Sequence, residues 1–148
     1  MTTASLYTFT DWVYNLLMTN SVSLGLQLVT YGDQLQLPVT PAACVEPDNK
    51  QNSYKGMQRA IYVDFQVSVY VYYGKVDSIQ QNKREADQLG ESIETLLHKD
   101  PTCGGLVTKS LVTAIEPGYA DKVGTLYRTT KITFTGGSQD RLPAAPWI

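Results

Sequence analysis

A chain of 148 residues with a net charge of −2 suits one domain around one core, and it lacks the basic surplus of a general nucleic-acid binder. No apolar run approaches the roughly 18 residues of a membrane-spanning helix. The start, MTTASLYTFTDW, has neither the basic n-region nor the apolar core of a secretory signal, so the expectation is a protein made and kept in the cytosol, or assembled there into something larger.

Residues 1–7 read as a loose arm. From Thr8 to Asn20 the apolar residues Phe9, Trp12, Val13, Leu16 and Leu17 recur at helical spacing and mark one buried face. Thr8 or Thr10 would cap this helix, Asp11 would suit its positive end, and Asn20-Ser21 would stop it. Leu26 to Tyr31 alternates as a strand, with Gly32-Asp33 as a turn. Leu35-Gln36-Leu37 alternates again before Pro38 and Pro41, which confine it to an edge strand or a connection. Cys44-Val45-Glu46 is a short strand candidate. Residues 47–58, PDNKQNSYKGMQ, combine turn formers with Lys50 and Lys55 and predict a mobile loop that also carries Tyr54.

The stretch Ile61–Tyr73 is the strongest signal in the chain. Ile61, Val63, Phe65, Val67, Val69, Val71 and Tyr73 alternate with Tyr62, Asp64, Gln66, Ser68, Tyr70 and Tyr72, the period of a strand with one buried face. It predicts one very long strand, either central to a sheet or projecting towards a partner. On the side away from the core, Tyr70 and Tyr72 are candidate subunit contacts, because tyrosine joins a large apolar ring to a polar tip.

Asp77 or Ser78 opens a second helix, which runs to about Lys99 with the stripe Ile79, Ala86, Leu89, Ile93, Leu96 and Leu97. Its opposite face is rich in acid, with Glu91 and Glu94 among its carboxylates. Solvent exposure explains such a face, and lining an acidic channel is the functional alternative. Asp100-Pro101 breaks the helix and Thr102-Cys103-Gly104-Gly105 forms a tight turn. Leu106–Ile115 reads as a strand that exits through Glu116-Pro117-Gly118, and Val123–Thr135 as the last strand, ended by Gly136-Gly137. Residues 138–148 read as an extended tail whose tip, Trp147 and Ile148, is apolar enough to dock on a neighbouring surface. The predicted fold is α+β: an antiparallel or mixed sheet with one very long central strand and two helices packed on one face, in a single domain.

No catalytic constellation is visible. His98, the single histidine, sits where it complements a helix dipole and has no recognisable nucleophile in a motif with it. Cys44 and Cys103 form no C-x-x-C pair and suit reduced, partly buried thiols, with a disulfide between them left open. Neither a metal nor a cofactor is expected, and the chain is not expected to be an enzyme.

The helix, strands, polar stretch, long strand and second helix are followed by Asp100-Pro101-Thr102-Cys103-Gly104-Gly105-Leu106-Val107. This order resembles the tail terminator proteins of long-tailed bacteriophages, also called tail completion or minor tail proteins. The likeness spans roughly residues 6–135, and its most specific piece is the helix followed by D-x-T-x-G-G and a strand. Where that family usually has a plain apolar residue before the glycines, this chain has Cys103. The resemblance implies a structural virion protein. Its copies would form a hexameric ring that caps the tail tube, ends polymerisation and presents a surface to the neck or head-completion protein. DNA would pass through the pore without specific binding, and no membrane is involved. In such a ring Glu91 and Glu94 are candidate pore-lining acids that keep DNA sliding. The contacts between copies would draw on Tyr70, Tyr72, Lys50, Tyr54, Lys55, Trp147 and Ile148. The alternatives are another head–tail joining protein or a small-molecule-binding domain.

Overall fold

A computed structural model describes residues 5–34, 36–54, 60–75 and 79–141. Within them lie α1 (Leu6–Thr19), α2 (Ser21–Leu24), β1 (Leu28–Tyr31), β2 (Ala42–Tyr54), β3 (Ala60–Lys75), α3 (Ile79–Leu97), β4 (Lys109–Lys122) and β5 (Thr125–Arg141). The fold is α+β, with one five-stranded mixed sheet in the order β1-β2-β3-β5-β4. β1 runs parallel to β2, and every other pair is antiparallel.

β3 alternates as its sequence dictates. Val63, Phe65, Val67, Val69 and Val71 are buried beneath the helices. Phe9, Val13 and Leu17 of α1 and Leu89, Ile93 and Leu97 of α3 meet them in one core, so both helices cover the same face. Each large side chain fully buried there contributes about 1.5–3 kcal/mol. The ring of Phe9 stacks between Phe65 and Phe134, with centroids 5.6 and 5.4 Å away.

Several sequence expectations are corrected. α1 starts earlier than expected: Ser5 is the N-cap and exchanges hydrogen bonds with Thr8 in a capping box. Residues 5–7 therefore do not belong to a loose arm. Asp11 lies beyond the first turn, which contains no acid, and the stop at Asn20 is observed. A one-turn helix, α2, follows, so the described residues contain three helices, not two.

The 47–58 segment is not one loop. Residues 47–54 complete β2, and 55–59 lie outside the described residues. The register shift between Pro47 and Asn49 leaves Asp48 as a bulge. Its carboxylate there accepts hydrogen bonds from Gln66 Nε2 (2.8 Å) and Ser68 Oγ (3.0 Å). A bulge is one of the few places a strand accepts proline.

β4 and β5 also outrun their predicted ends. Pro117 does not end β4, an edge strand that among the described residues pairs with β5 alone and can spare the N–H that proline lacks. β5 passes through Gly136-Gly137 to Arg141, so residues 138–141 belong to the sheet and not to a tail. β2, β3, β4 and β5 span 13, 16, 14 and 17 residues, so β3 is one of four long strands. The predicted caps at Asp77 and Ser78 fall outside the described residues.

The turn after α3 is built by Asp100. Its carboxylate accepts the Gly104 N–H (2.8 Å), the Thr102 N–H (3.2 Å) and the Thr102 hydroxyl (2.9 Å). The Gly104 and Thr102 bonds hold the Asp100 carboxyl below its ordinary range. Cys103, Gly104 and Gly105 all take positive φ in this turn.

Candidate functional site

With α1 and α3 on one face, the sheet's other face is the candidate contact surface. Its rows come from the even positions of β3, the odd positions of β5 and the strands flanking them. Among the described residues, one half of this face is strapped and the other half is open.

The strap follows β1. Asp33 is held from three strands: its N–H donates to Glu46 Oε2 of β2 (2.8 Å), and its Oδ1 accepts from Tyr72 of β3 (2.8 Å) and Lys122 of β4 (3.0 Å). Lys122 also donates to the Gln34 carbonyl, and its ammonium stands 4.7 Å from the Tyr72 ring centre. Leu37, expected in an edge strand or a connection, lies in the connection and packs onto Ala42, Cys44, Tyr72 and Tyr127 as a second small core.

Tyr72 is therefore only 3% exposed, and it is a core residue of the strapped half, not a contact surface. Burial raises its pKa, with the bond to Asp33 adding to the shift. Cys44 lies in this small core and Cys103 in the main one on the sheet's other face, and both thiols are free. Burial pushes the Cys103 thiol up to about 11 and raises that of Cys44. Neither is a ready nucleophile.

The open half carries Tyr62, Asp64, Lys131, Lys109 and Leu111, and Tyr70, which packs against the small core, marks its border with the strapped half. Tyr70 is half-buried, with Lys131 Nζ 5.8 Å from its ring centre. Of the other candidate contacts, Lys50 is exposed on β2, 6.0 Å from the Phe65 ring centre. Tyr54 closes β2 opposite Ile61. Lys55, Trp147 and Ile148 lie outside the described residues. The structure therefore does not bring Tyr70, Tyr72 and Lys50 together into one patch.

On the helical side, Glu91 is exposed and Glu94 half-buried on α3, with exposed Asp87 on the same helix. The amino-terminal half of α3 rests on polar groups that were not among the expected site residues. Tyr73 donates its hydroxyl to Glu85, and burial together with that bond pushes the phenol up to about 12. Arg128 is 5% exposed, donates to Asp87 Oδ1 at 3.4 Å and lies 5.1 Å from the Tyr119 ring centre. Its place among Leu126, Thr130, Ile132 and Phe134 in the alternation was the available signal that this cation turns inward.

His98 Nε2 accepts the Val112 N–H at 3.0 Å, beside the register shift between Val112 and Ala114 of β4. That bond fastens the end of α3 to the edge strand, a role that helix-dipole reasoning did not anticipate. Among the described residues, no three His, Cys, Asp or Glu side chains are grouped to hold a metal ion. No family model matches the chain, and no curated protein matches it.

Proposed function

We propose that the chain is a structural protein of a long-tailed bacteriophage, a tail terminator. Its copies close into a hexameric ring on the end of the tail tube, stop its growth and offer a surface to the neck or head-completion protein. The observation that carries the reading is the one-sided blade. Two long hairpins, β2–β3 and β4–β5, join through β3 and β5 into a broad sheet that helices cover on one face only. In this reading β3 is the central spine of the blade. A sheet whose two edges differ, β1 and β2 on one side and β4 on the other, suits heterologous contacts, where one patch meets a different patch on the next copy.

The D-P-T-C-G-G turn supports the resemblance in kind. It buries Cys103 where an apolar residue is expected and sets Gly104 against the indole of Trp12, where an added Cβ would lie only 3.3 Å from Nε1. In the ring, the acidic face of α3 would line the pore and repel DNA passing through it. None of the described helices is long and apolar enough to cross a membrane.

The test is to add the purified protein to growing tail tubes. The expected result is an extra layer of density at one tube end and arrested growth. Tubes that keep elongating with bare ends contradict the proposal.

A further inference from the structure

Among the described residues, most of the large apolar side chains that stay exposed gather at the two opposite edges of the strand order β1-β2-β3-β5-β4. α1 packs over β1, β2 and β3, and α3 over β3, β5 and β4. The outer flank of α1 therefore borders the β1 edge, and the tip of the β4–β5 hairpin belongs to the other edge. The open half of the back face is hollowed by a cleft of about 520 Å³ over Gly137, but Ser53, Asp64, Lys109 and Ser138 give that cleft a polar lining.

The α1 flank is aromatic. Tyr7, Tyr14 and Met18 recur at i, i+7 and i+11, a second stripe beside the one that enters the core. Tyr7 is 68% exposed and Met18 46%. Tyr31 of β1 meets Tyr14 edge to face, with ring centres 6.0 Å apart. Asp11 brings the stripe's one charge, and its carboxylate adds to burial in raising the Tyr31 phenol.

The hairpin tip is apolar, and its backbone is strained. Tyr119 pairs with Arg128 and Asp121 with Leu126, so Tyr119 and Leu126 are diagonal neighbours on the helix-side face, each about half exposed. Val123 caps them at a φ of +53°, where a β-branched residue is an outlier, and is itself 69% exposed. Strain of this kind persists where a function holds it, yet within the single chain Val123 packs on little. The charges beside it are already spent: Asp121 Oδ1 accepts the Gly124 N–H at 2.9 Å, and Lys122 is held by Asp33.

We propose that the Tyr119–Val123–Leu126 tip of one copy docks on the Tyr7–Tyr14–Met18–Tyr31 flank of the next. The inference rests on the ring reading for its occupant, a second copy. The two patches differ, so the contact is head-to-tail, and each copy offers a tip to one neighbour and a flank to the other. An apolar tip with its charges neutralised internally fits an aromatic stripe with a single acid, and desolvating the pair leaves few unpaired charges. The strain at Val123 is then offset by burial in the assembly and not in the single chain.

The test uses the full-length protein, alone and with tail tubes, carrying Met18→Cys and Val123→Cys together and each alone, oxidised and run under denaturing conditions. Cys44 and Cys103 are buried and do not compete. The double variant is expected to give a ladder of covalent multimers, and each single variant to run as a monomer. A dimer from a single variant, an internally linked monomer or no link at all overturns the proposal. Negative-stain imaging separates this outcome from the ring reading: a ring without the ladder has its seam elsewhere, whereas a ladder without closure keeps the contact and removes the ring. Val123→Asn supplies a second measurement, since it relieves the turn and leaves the fold in place. It is expected to weaken association several-fold without lowering the melting temperature of the single chain, and association at the parental strength overturns the proposal.

Discussion

At Gly136 the helix layer touches the sheet. A Cβ at this position would sit 2.6 Å from Cε1 of Phe9 and 3.1 Å from Cγ1 of Val107, both on the buried side. The stacked Phe9, Phe65 and Phe134 rings leave Phe9 little room to retreat. Gly136→Val is expected to cost about 1–3 kcal/mol through overpacking, read as a lower urea midpoint with an unchanged slope. A midpoint equal to the parent's would show that α1 does not press on the sheet there. The same glycine explains a misread strand end. Gly136-Gly137 looks like a stop because glycine is poor in strands. Here one glycine makes room for a ring on the core side and its neighbour floors a cleft on the other, needs that arise only once distant residues have been brought together.

At the scale of elements, legibility followed periodicity. α1 and β3 could be read from their stripes because each has one apolar partner layer and no interruption. β2 and β4 could not be read to their ends. Pro47-Asp48-Asn49 and Glu116-Pro117-Gly118 carry turn chemistry, yet the pairing of β3 and β5 beside them supplies the hydrogen bonds that local propensity argues against. The strap was hidden for a related reason: Asp33, Tyr72 and Lys122 are far apart in sequence, and no local pattern joins them.

The β4–β5 hairpin closes through Val123-Gly124 with φ of +53° and +79°. Glycine adopts that conformation freely, whereas a β-branched residue is strained in it. Val123 is also 69% exposed, so little packing offsets the strain. Val123→Asn is expected to stabilise the isolated protein by about 1 kcal/mol, because asparagine tolerates the left-handed turn. Thermal unfolding checks this, and a lower melting temperature would mean that Val123 makes contacts that outweigh its strain.

At the scale of the molecule, the sequence made the fold class legible and left most of the contact surface hidden. Alternation placed Tyr70 and Tyr72 on one face correctly, but only the strap reveals that Tyr72 is sealed and Tyr70 is not. On α3 Glu85 and Asp87 are engaged by Tyr73 and Arg128, while Glu91 is exposed and Glu94 half-buried. Reversing Glu91 and Glu94 to Lys in a ring-forming protein is expected to leave assembly intact and slow DNA delivery through attraction to the phosphate backbone. Delivery at the parental rate would remove α3 from the pore wall. Ring closure by copies of this chain is a proposal that native mass spectrometry over a concentration series, with negative-stain imaging of any large species, can decide. The expected result is a six-copy species seen as a ring with an open pore, on its own or once tail tubes are supplied. A protein that stays monomeric at every concentration and leaves tube ends bare would contradict it.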